Sequence, residues 1–514
     1  MRLQNILFPL DESCEEMYIR TFHMPCRQYK PFLVPRGGMI RTDTYMNVFD
    51  VGAWKKYTDV SELFLCVKAK GIGILKCFWE RKTEEPICLF EKYIKDDLEG
   101  LDKRKFPIFE FKNMKDGALY FEFWAETDSV IEAWFETECM VRKKVKLSII
   151  VCTYKRQKQL EQIVKILQEK DRQKDFFQPE YESANSGEWI HTIIVDNASE
   201  IEDTYGDKIT VYHNPNLGGS GGFSRGMEET IRNLPEFKAS HVVLMDDDVV
   251  FQMESFYRLR ALLSFMKPEY EEEAVAGRMF RMDKPWIQYT AAEIWNGGDI
   301  RHIGWNQEMK DRQYIWNMNE NAGGEYSGWW FACFPIEFVK HNKPLPFFLH
   351  CDDVEYGLRH GGTPIVLNGI QVWHETYEYR KNPVIAYYDY RNSLIVNALY
   401  GCGETDKTQI WKQFKQKITK AHVKEDYLLE YFLIRAFRDY LRGMKWFMRK
   451  NDMAIHAALV RKKKVCRYGN SIRWRIVFLE WNITNAYTKS DLYRMCRRGL
   501  RKDEHVQVAG NINK

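Results

Sequence analysis

Three acids in a row, Asp246-Asp247-Asp248, follow directly on the apolar run His241 to Met245. Carboxylates spaced one apart at a strand end can both reach a hard divalent cation, and such a cation would bridge two phosphates and stabilise a departing diphosphate. Acid triplets are also common in exposed turns, so the neighbours matter. Val372-Trp373-His374-Glu375 closes another apolar run, where the histidine either completes a metal shell with the triplet or is a satisfied structural residue. His350-Cys351-Asp352-Asp353-Val354-Glu355-Tyr356-Gly357 reads as a helix that opens on two acids. Those acids either cap the helix and complement its dipole, or one of them deprotonates an attacking hydroxyl.

Two further strand ends are polar. Asp196-Asn197 follows Thr192 to Val195, placing a carboxylate and an amide at the rim where a base or ribose would lie. Cys152-Thr153-Tyr154-Lys155-Arg156 follows Leu147 to Val151 and supplies cations for phosphate. Each could be a loop cap, but three such ends together define one cleft. Between them, Asn214 to Gly226 is rich in glycine and punctuated by Phe223 and Arg225. It reads as a close backbone approach to a ligand, followed by a helix whose first amides face phosphate. Tyr326-Ser327-Gly328-Trp329-Trp330-Phe331 is either a stacking platform for an acceptor or a core strand. The core reading is slightly favoured.

The elements that must position these groups follow from periodicity. From about Leu147 onward, short apolar strands alternate with helical patterns such as Lys158 to Lys170, which predicts an α/β domain with a parallel sheet and ligands at the strands' carboxyl ends. Before it, period-two runs (Leu63, Leu65, Val67, Ala69; Leu119, Phe121, Phe123, Ala125; Ile131, Ala133, Phe135) predict an antiparallel β-sandwich. Gly71, Gly73, Gly100 and Asp116-Gly117 read as its turns. After about Gly401 helical spacing takes over, with Tyr427, Leu428, Tyr431, Phe432 and Ile434 to Tyr440 on apolar faces. Expected boundaries are 1–143, 144–400 and 401–514.

Basic residues cluster in the last segment: Arg461-Lys462-Lys463-Lys464, Arg473, Arg475, Arg494, Arg497, Arg498, Arg501 and Lys502. Trp446, Phe447, Trp474 and Phe478 are interleaved with them, which suits a helix on an anionic membrane surface and equally a solvated face over core aromatics. At 514 residues, 45% hydrophobic and 29% charged, the chain is globular and multidomain; a net charge of +4 does not call for a nucleic-acid partner. The 12 cysteines show neither a CxxC pair nor zinc spacing, so a reducing compartment is expected. Neither a signal peptide nor a spanning stretch is evident, and a cytoplasmic location is expected.

Taken in order, Cys152 to Arg156, Val195-Asp196-Asn197, Asn216 to Gly226, Asp246 to Asp248, Trp329-Trp330, Asp352 to Gly357, Trp373-His374 and Tyr387 to Asn392 resemble glycosyltransferase family 2, and within it the bacterial polymerising galactofuranosyltransferases. Thr44 to Phe49 with Trp54 is similar to that group's N-terminal sandwich. The resemblance implies a GT-A core that binds a nucleotide-sugar. In it Asp246, Asp248 and His374 hold Mn²⁺ or Mg²⁺ against the diphosphate of UDP-galactofuranose. Asp353 is the base and Asp352 supports it or binds acceptor. Arg156, Asp196, Asn197, Asn216 and Asp247 hold the donor, and Trp329 and Trp330 shape the acceptor subsite. The expected reaction inverts the anomeric carbon and extends a glycan, lipid-linked at the inner face of the cell membrane. Homo-oligomers are expected by analogy. Tyr388 and Asp389 stand where some members carry histidine before Arg391. The rival readings are a family 2 enzyme with a galactopyranose or rhamnose donor, and a non-catalytic carbohydrate-binding protein.

Overall fold

The computed structural model describes residues 1–9, 12–24, 33–95, 103–169, 189–201, 205–316, 323–376, 382–401 and 406–465. Its centre is a nine-stranded mixed sheet. Strands β1 (Leu147–Thr153), β2 (Ile190–Asp196), β3 (Ile209–His213) and β4 (His241–Asp246) run parallel in the spatial order β3-β2-β1-β4. Their apolar runs do not alternate with polar residues because both faces are covered. Ile149, Val151, Ile194, Val243 and Met245 enter one core, while Ile150, Ile193, Val195, Val242 and Leu244 enter another. Helix α1 (Gln157–Glu169) follows β1, and α2 (Gly218–Arg232) packs on β1 and β2.

Past β4 the sheet turns mixed. Strands β5 (Val275–Arg281) and β6 (Ala332–Pro335) pair antiparallel, β6 also runs against β4, and β7 (Ile365–His374) lies parallel beside β5. Helix α3 (Glu254–Phe265) packs on β7, and α4 (Asp352–His360) precedes it in the chain.

Residues ahead of β1 build two antiparallel sheets, one containing Phe64–Lys70 and Ser129–Glu136, the other Gly73–Glu80, Ile87–Ile94 and Ala118–Ala125. The inward set of each strand shares a single core: Leu65, Val67, Ile131, Ala133 and Phe135 from one sheet, Leu119, Phe121 and Phe123 from the other. Gly71 is a turn residue with φ of 109°, as its type suggests. Gly73, expected as a turn, instead begins a strand. A Cβ there would stand 2.4 Å from the Trp124 carbonyl oxygen, so the residue is small because a neighbouring strand passes close.

These sheets join the central one through a buried polar knot. Arg258 of α3, 0% exposed, gives Nε to Glu254 (2.8 Å), Nη1 to the Asn368 carbonyl (3.0 Å) and Nη2 to the Asn5 and Met46 carbonyls (3.2 and 2.7 Å). Glu254 in turn accepts from the Asn5 amide and side chain, each at 2.8 Å.

After β7 come helices α5 (Ile385–Tyr400), α6 (Lys407–Val423), α7 (Tyr427–Tyr440) and α8 (Asp452–Val465). Gly401 ends α5 in the left-handed conformation that glycine tolerates best. Phe414 and Phe437 stack at 4.2 Å in a core that also takes Phe347, Phe348, Cys351 and Val354. Phe447, in the helix Gly443–Arg449, is 0% exposed and packs on Phe347, so of the two readings of this residue the core aromatic is the one its packing matches. Arg473, Trp474, Arg475, Phe478, Arg494, Arg497, Arg498, Arg501 and Lys502 lie outside the described residues. Among those described, no helix is long and apolar enough to cross a membrane.

Candidate active site

Strand β4 ends on Asp246, and the turn after it carries Asp247 and Asp248. Two residues on, Val250 forms an antiparallel bridge with Trp373, exchanging amide-to-carbonyl bonds of 2.8 and 2.7 Å. That bridge sets His374, the last residue of β7, beside the acids. Its Nε2 lies 3.1 Å from Asp248 Oδ1 and 3.8 Å from Asp246 Oδ2, and one donor atom from each of the three falls within 4.8 Å of the others. Two carboxylates and an imidazole are a fitting shell for Mn²⁺ or Mg²⁺, whose hard charge favours oxygen with an occasional nitrogen.

Arg156, at the end of β1, points its Nη1 at Asp247 Oδ1 (2.8 Å) and Asp248 Oδ2 (2.7 Å). Burial opposes the Arg156 charge, and Asp247 and Asp248 outweigh it and raise its pKa. Burial also raises the Asp247 carboxyl, only partly offset by Arg156. The Cys152 thiol at the same rim is pushed well up, first by burial and then by the charges of Asp247, Asp246, Asp352 and Asp196. Four carboxylates from three different elements therefore act on one thiol.

The glycine run is not a loop. Helix α2 starts at Gly218, so Gly219, Gly221 and Gly222 form its first turns. Contact explains their size: a Cβ at Gly222 would sit 2.1 Å from Cys152 Sγ, and one at Gly219 would sit 3.3 Å from Asp352 Oδ2. The helix amino end thus lies between the β1 rim and the acids of α4. Asn216 Oδ1 accepts from the Gly218 amide at 3.1 Å, and Asn197 Nδ2 donates to the Gly218 carbonyl at 3.0 Å. Asp196 serves its own turn: it is 0% exposed and accepts from the amides of Ala198, Glu200 and Ile201 at 2.7 to 2.9 Å.

Asp352 and Asp353 open α4. The N-cap is Cys351, which gives no side-chain cap bond, so the acids replace a capping residue as the negative group at this helix end. Burial pushes the Asp352 carboxyl up to about 6. Asp353 is raised well above its ordinary range by burial, then by the charges of Asp352 and Glu293. Both carboxyls of this helix end are thus shifted toward the range in which a carboxyl can exchange a proton with a substrate hydroxyl.

Trp329 and Trp330 are 4% and 1% exposed. Trp329 wedges between α2 and α4, meeting Phe223 at 5.0 Å and Tyr356 at 5.8 Å. Trp330 lies under the sheet, its Nε1 donating to the Gly277 carbonyl at 2.9 Å. Both rings are packed on every side, which is the core reading that the sequence slightly favoured, and they sit in the turn before β6.

Glu293 was not picked out by sequence pattern. It is 2% exposed, pairs with His302 (2.9 Å), and its charge acts on Asp353. An isolated acid in a strand of two-residue alternation, Glu293 to Asn296, gives no local signal. Only its burial distinguishes it.

Residues 145–384 match the family described as glycosyltransferase like family 2. This segment is a family 2 glycosyltransferase-like domain. The chain is 28% identical over 262 residues to the galactofuranosyltransferase GlfT2 of Mycolicibacterium smegmatis, covering 46% of this chain and 38% of that protein. It is 28% identical over 263 residues to the galactofuranosyltransferase GlfT2 of Mycobacterium tuberculosis, covering 46% and 39%. The chain thus spans about two fifths of the length of these relatives. A solved family two carbohydrate esterase from Clostridium thermocellum is 10% identical over 24% of this chain and 34% of its own, at a TM-score of 0.13, too low to bear on the fold. The family 2 domain contains every acid of the candidate site together with His374 and Arg156.

Proposed function

We propose that the protein is an inverting, metal-dependent transferase that moves galactofuranose from UDP-galactofuranose to a hydroxyl of a lipid-linked glycan at the inner face of the cell membrane. The observation that carries this reading is the meeting of Asp246, Asp248 and His374 at one point, with Asp352 beside the first turn of α2 and its charge, like those of Asp246 and Asp247, acting on Cys152 at the same rim. Asp246, Asp248 and His374 would hold Mn²⁺ or Mg²⁺, whose charge offsets that of the leaving diphosphate.

Arg156, 40% exposed at its side chain, lends a cation to phosphate while holding Asp247 in place. Asn197 and Asn216 shape the donor side around the amino end of α2, and Asp196 acts there by fixing the turn that presents Asn197. Asp353 takes the proton from the acceptor hydroxyl as that oxygen attacks the anomeric carbon opposite the leaving group. A single displacement needs one base and inverts the centre. Asp352 adds its charge to the burial that raises the Asp353 carboxyl, and it lies beside the first turn of α2. Trp329 sets the acceptor side from beneath by spacing α2 from α4, and Trp330 supports it from its seat against β5.

The division into an N-terminal sandwich (1–143), a GT-A core (144–400) and a helical segment (401–514) belongs to the same proposal. In the helical segment Lys412, Lys415, Lys420 and Lys424 lie on one exposed side of α6 and its C-cap beside Val423, which is 76% exposed; anionic lipid headgroups match that charge.

The deciding experiment follows UDP release by purified protein with Mn²⁺, offered UDP-galactofuranose, UDP-galactose or UDP-glucose, with and without a short galactofuranosyl acceptor. Turnover of the furanose donor alone, abolished by chelation, is the expected result. Turnover of a pyranose donor instead would replace the donor assignment, and silence with all three would overturn the reading.

A further inference from the structure

The loop that delivers Asp352 and Asp353 has an unfavourable backbone. Phe348, His350 and Cys351 have φ of 75°, 62° and 64°, a left-handed region that residues with side chains avoid. Such a conformation persists only where surrounding contacts enforce it. Here they are numerous. Lys450 Nζ donates to the Pro346 carbonyl, and Arg391 Nη2 donates to the Phe347 carbonyl at 2.8 Å. Asn392 Nδ2 donates to both the Leu349 and the His350 carbonyls, at 2.7 and 2.8 Å. Asp389 Oδ1 meets His350 Nδ1 at 2.6 Å. From the other side the Phe348 amide donates to Ser220 Oγ of α2 at 2.9 Å, and a Cβ at Gly218 would stand 1.9 Å from the Phe348 carbonyl oxygen.

Arg391 and Asn392 are both 0% exposed and are themselves held. Arg391 Nε donates to Asn392 Oδ1 (2.9 Å), and Arg391 Nη1 donates to the Tyr387 hydroxyl (3.0 Å). That hydroxyl donates to Asp439 of α7 (2.9 Å), which also pairs with Arg435 (2.7 Å). Asp389, Arg391, Asn392, Asp439 and Lys450 all lie beyond residue 384, where the family match ends.

We infer that Arg391 and Asn392 are positioning residues, which hold loop 347–351 in its left-handed backbone and thereby aim the Asp352–Asp353 pair at the amino end of α2 and the metal-binding acids. The inference rests on the transferase reading of Asp353. It makes α5, outside the family-matched segment, a working part of the site. An amide whose two protons serve two successive carbonyls cannot be replaced by a smaller side chain without leaving both acceptors unpaired, and relaxation of φ is then the way to rehydrate them.

The test compares full-length wild type with Asn392→Ala and Arg391→Lys. Two measurements are made: steady-state transfer with Mn²⁺ and UDP-galactofuranose, and amide hydrogen exchange by peptide. In Asn392→Ala, kcat should fall by about 10–100-fold, as expected when a reacting group is displaced by about 1 Å. Donor KM should move by less than about threefold, since the donor side is untouched. Exchange should quicken across 347–353 and stay as in wild type across 241–248. Arg391→Lys keeps one donor for Phe347 and should show the same pattern, weaker. A kcat within about threefold of wild type overturns the inference. So does a joint loss of kcat, KM and unfolding midpoint with exchange raised throughout, which would mark a merely structural clamp. If wild type turns over no donor, the transferase reading falls separately. Unchanged exchange in 347–353 would then by itself overturn the claim that these residues hold the loop.

Discussion

Two regions of this molecule gather buried charge, and they do so on opposite terms. Around Arg258, one guanidinium meets one carboxylate, Glu254, and its two terminal nitrogens reach carbonyls from Asn5, Met46 and Asn368. Around Asp248 the balance is uneven. Asp246, Asp247 and Asp248 face Arg156 and His374, with Asp352 across the first turn of α2, and the carboxyls of Asp247, Asp352 and Asp353 are all raised, by burial first and by neighbouring acids after it. The first cluster is closed and joins the N-terminal sheets to the central one. The second is short of positive charge, and a cation and a proton are what would relieve it.

If that contrast is right, disturbing the second cluster should change chemistry and disturbing the first should change stability. The largest effect is expected from Asp353→Asn, which should lower kcat by about 10²–10⁴-fold by removing the proton acceptor, with Mn²⁺ affinity by calorimetry unchanged. A loss below about tenfold would place the base elsewhere. Next comes Arg258→Met, which leaves Glu254 buried without its partner and should cost about 3–5 kcal/mol in urea unfolding. Transfer per folded molecule should persist; its loss would mean that the knot also shapes the site.

His374→Ala should weaken Mn²⁺ binding by at least about tenfold, because one of three ligand atoms is removed, and since the ring is fully buried a lower urea midpoint should accompany it; unchanged Mn²⁺ affinity would remove His374 from the shell. The smallest effect is one of pH. The Asp352 carboxyl is held at about 6, above an unfolded value of about 3.9. The fold therefore favours its protonated form, and that stabilising contribution is complete below about pH 4 and lost as pH rises through about 6. Asp352→Asn, which is never charged, should unfold a few degrees above wild type at pH 8, and the gap should close below about pH 4. A constant gap across that range would remove Asp352 from the set of raised carboxyls.

Much of the frame was legible because it depends on local pattern. Leu147 to Val151, Thr192 to Val195 and His241 to Met245 are continuous apolar runs, which a strand covered on both faces requires, and all three are strands. The two-residue alternation of Leu119 to Ala125 and Ile131 to Phe135 likewise marks strands with one face in a core. Gly73 misled because a small residue serves a turn and a close strand contact equally well. Phe447 stood open between a membrane face and the core because an aromatic between cations has no local sign of which side is packed. Among site residues, Glu293 had no signal at all, since a single acid in a strand is unremarkable until the fold buries it beside Asp353.

What the sequence by itself determined is the set of polar groups at the ends of apolar strands, since side-chain periodicity and burial are properties of a few consecutive residues. Tertiary structure alone decided which of those ends meet. The Val250–Trp373 bridge brings His374 to Asp248 across 126 positions of chain, and Asn392 reaches back 42 positions to hold the loop before Asp352. Contacts of that separation depend on strand register and helix packing, which are settled only when the whole core closes.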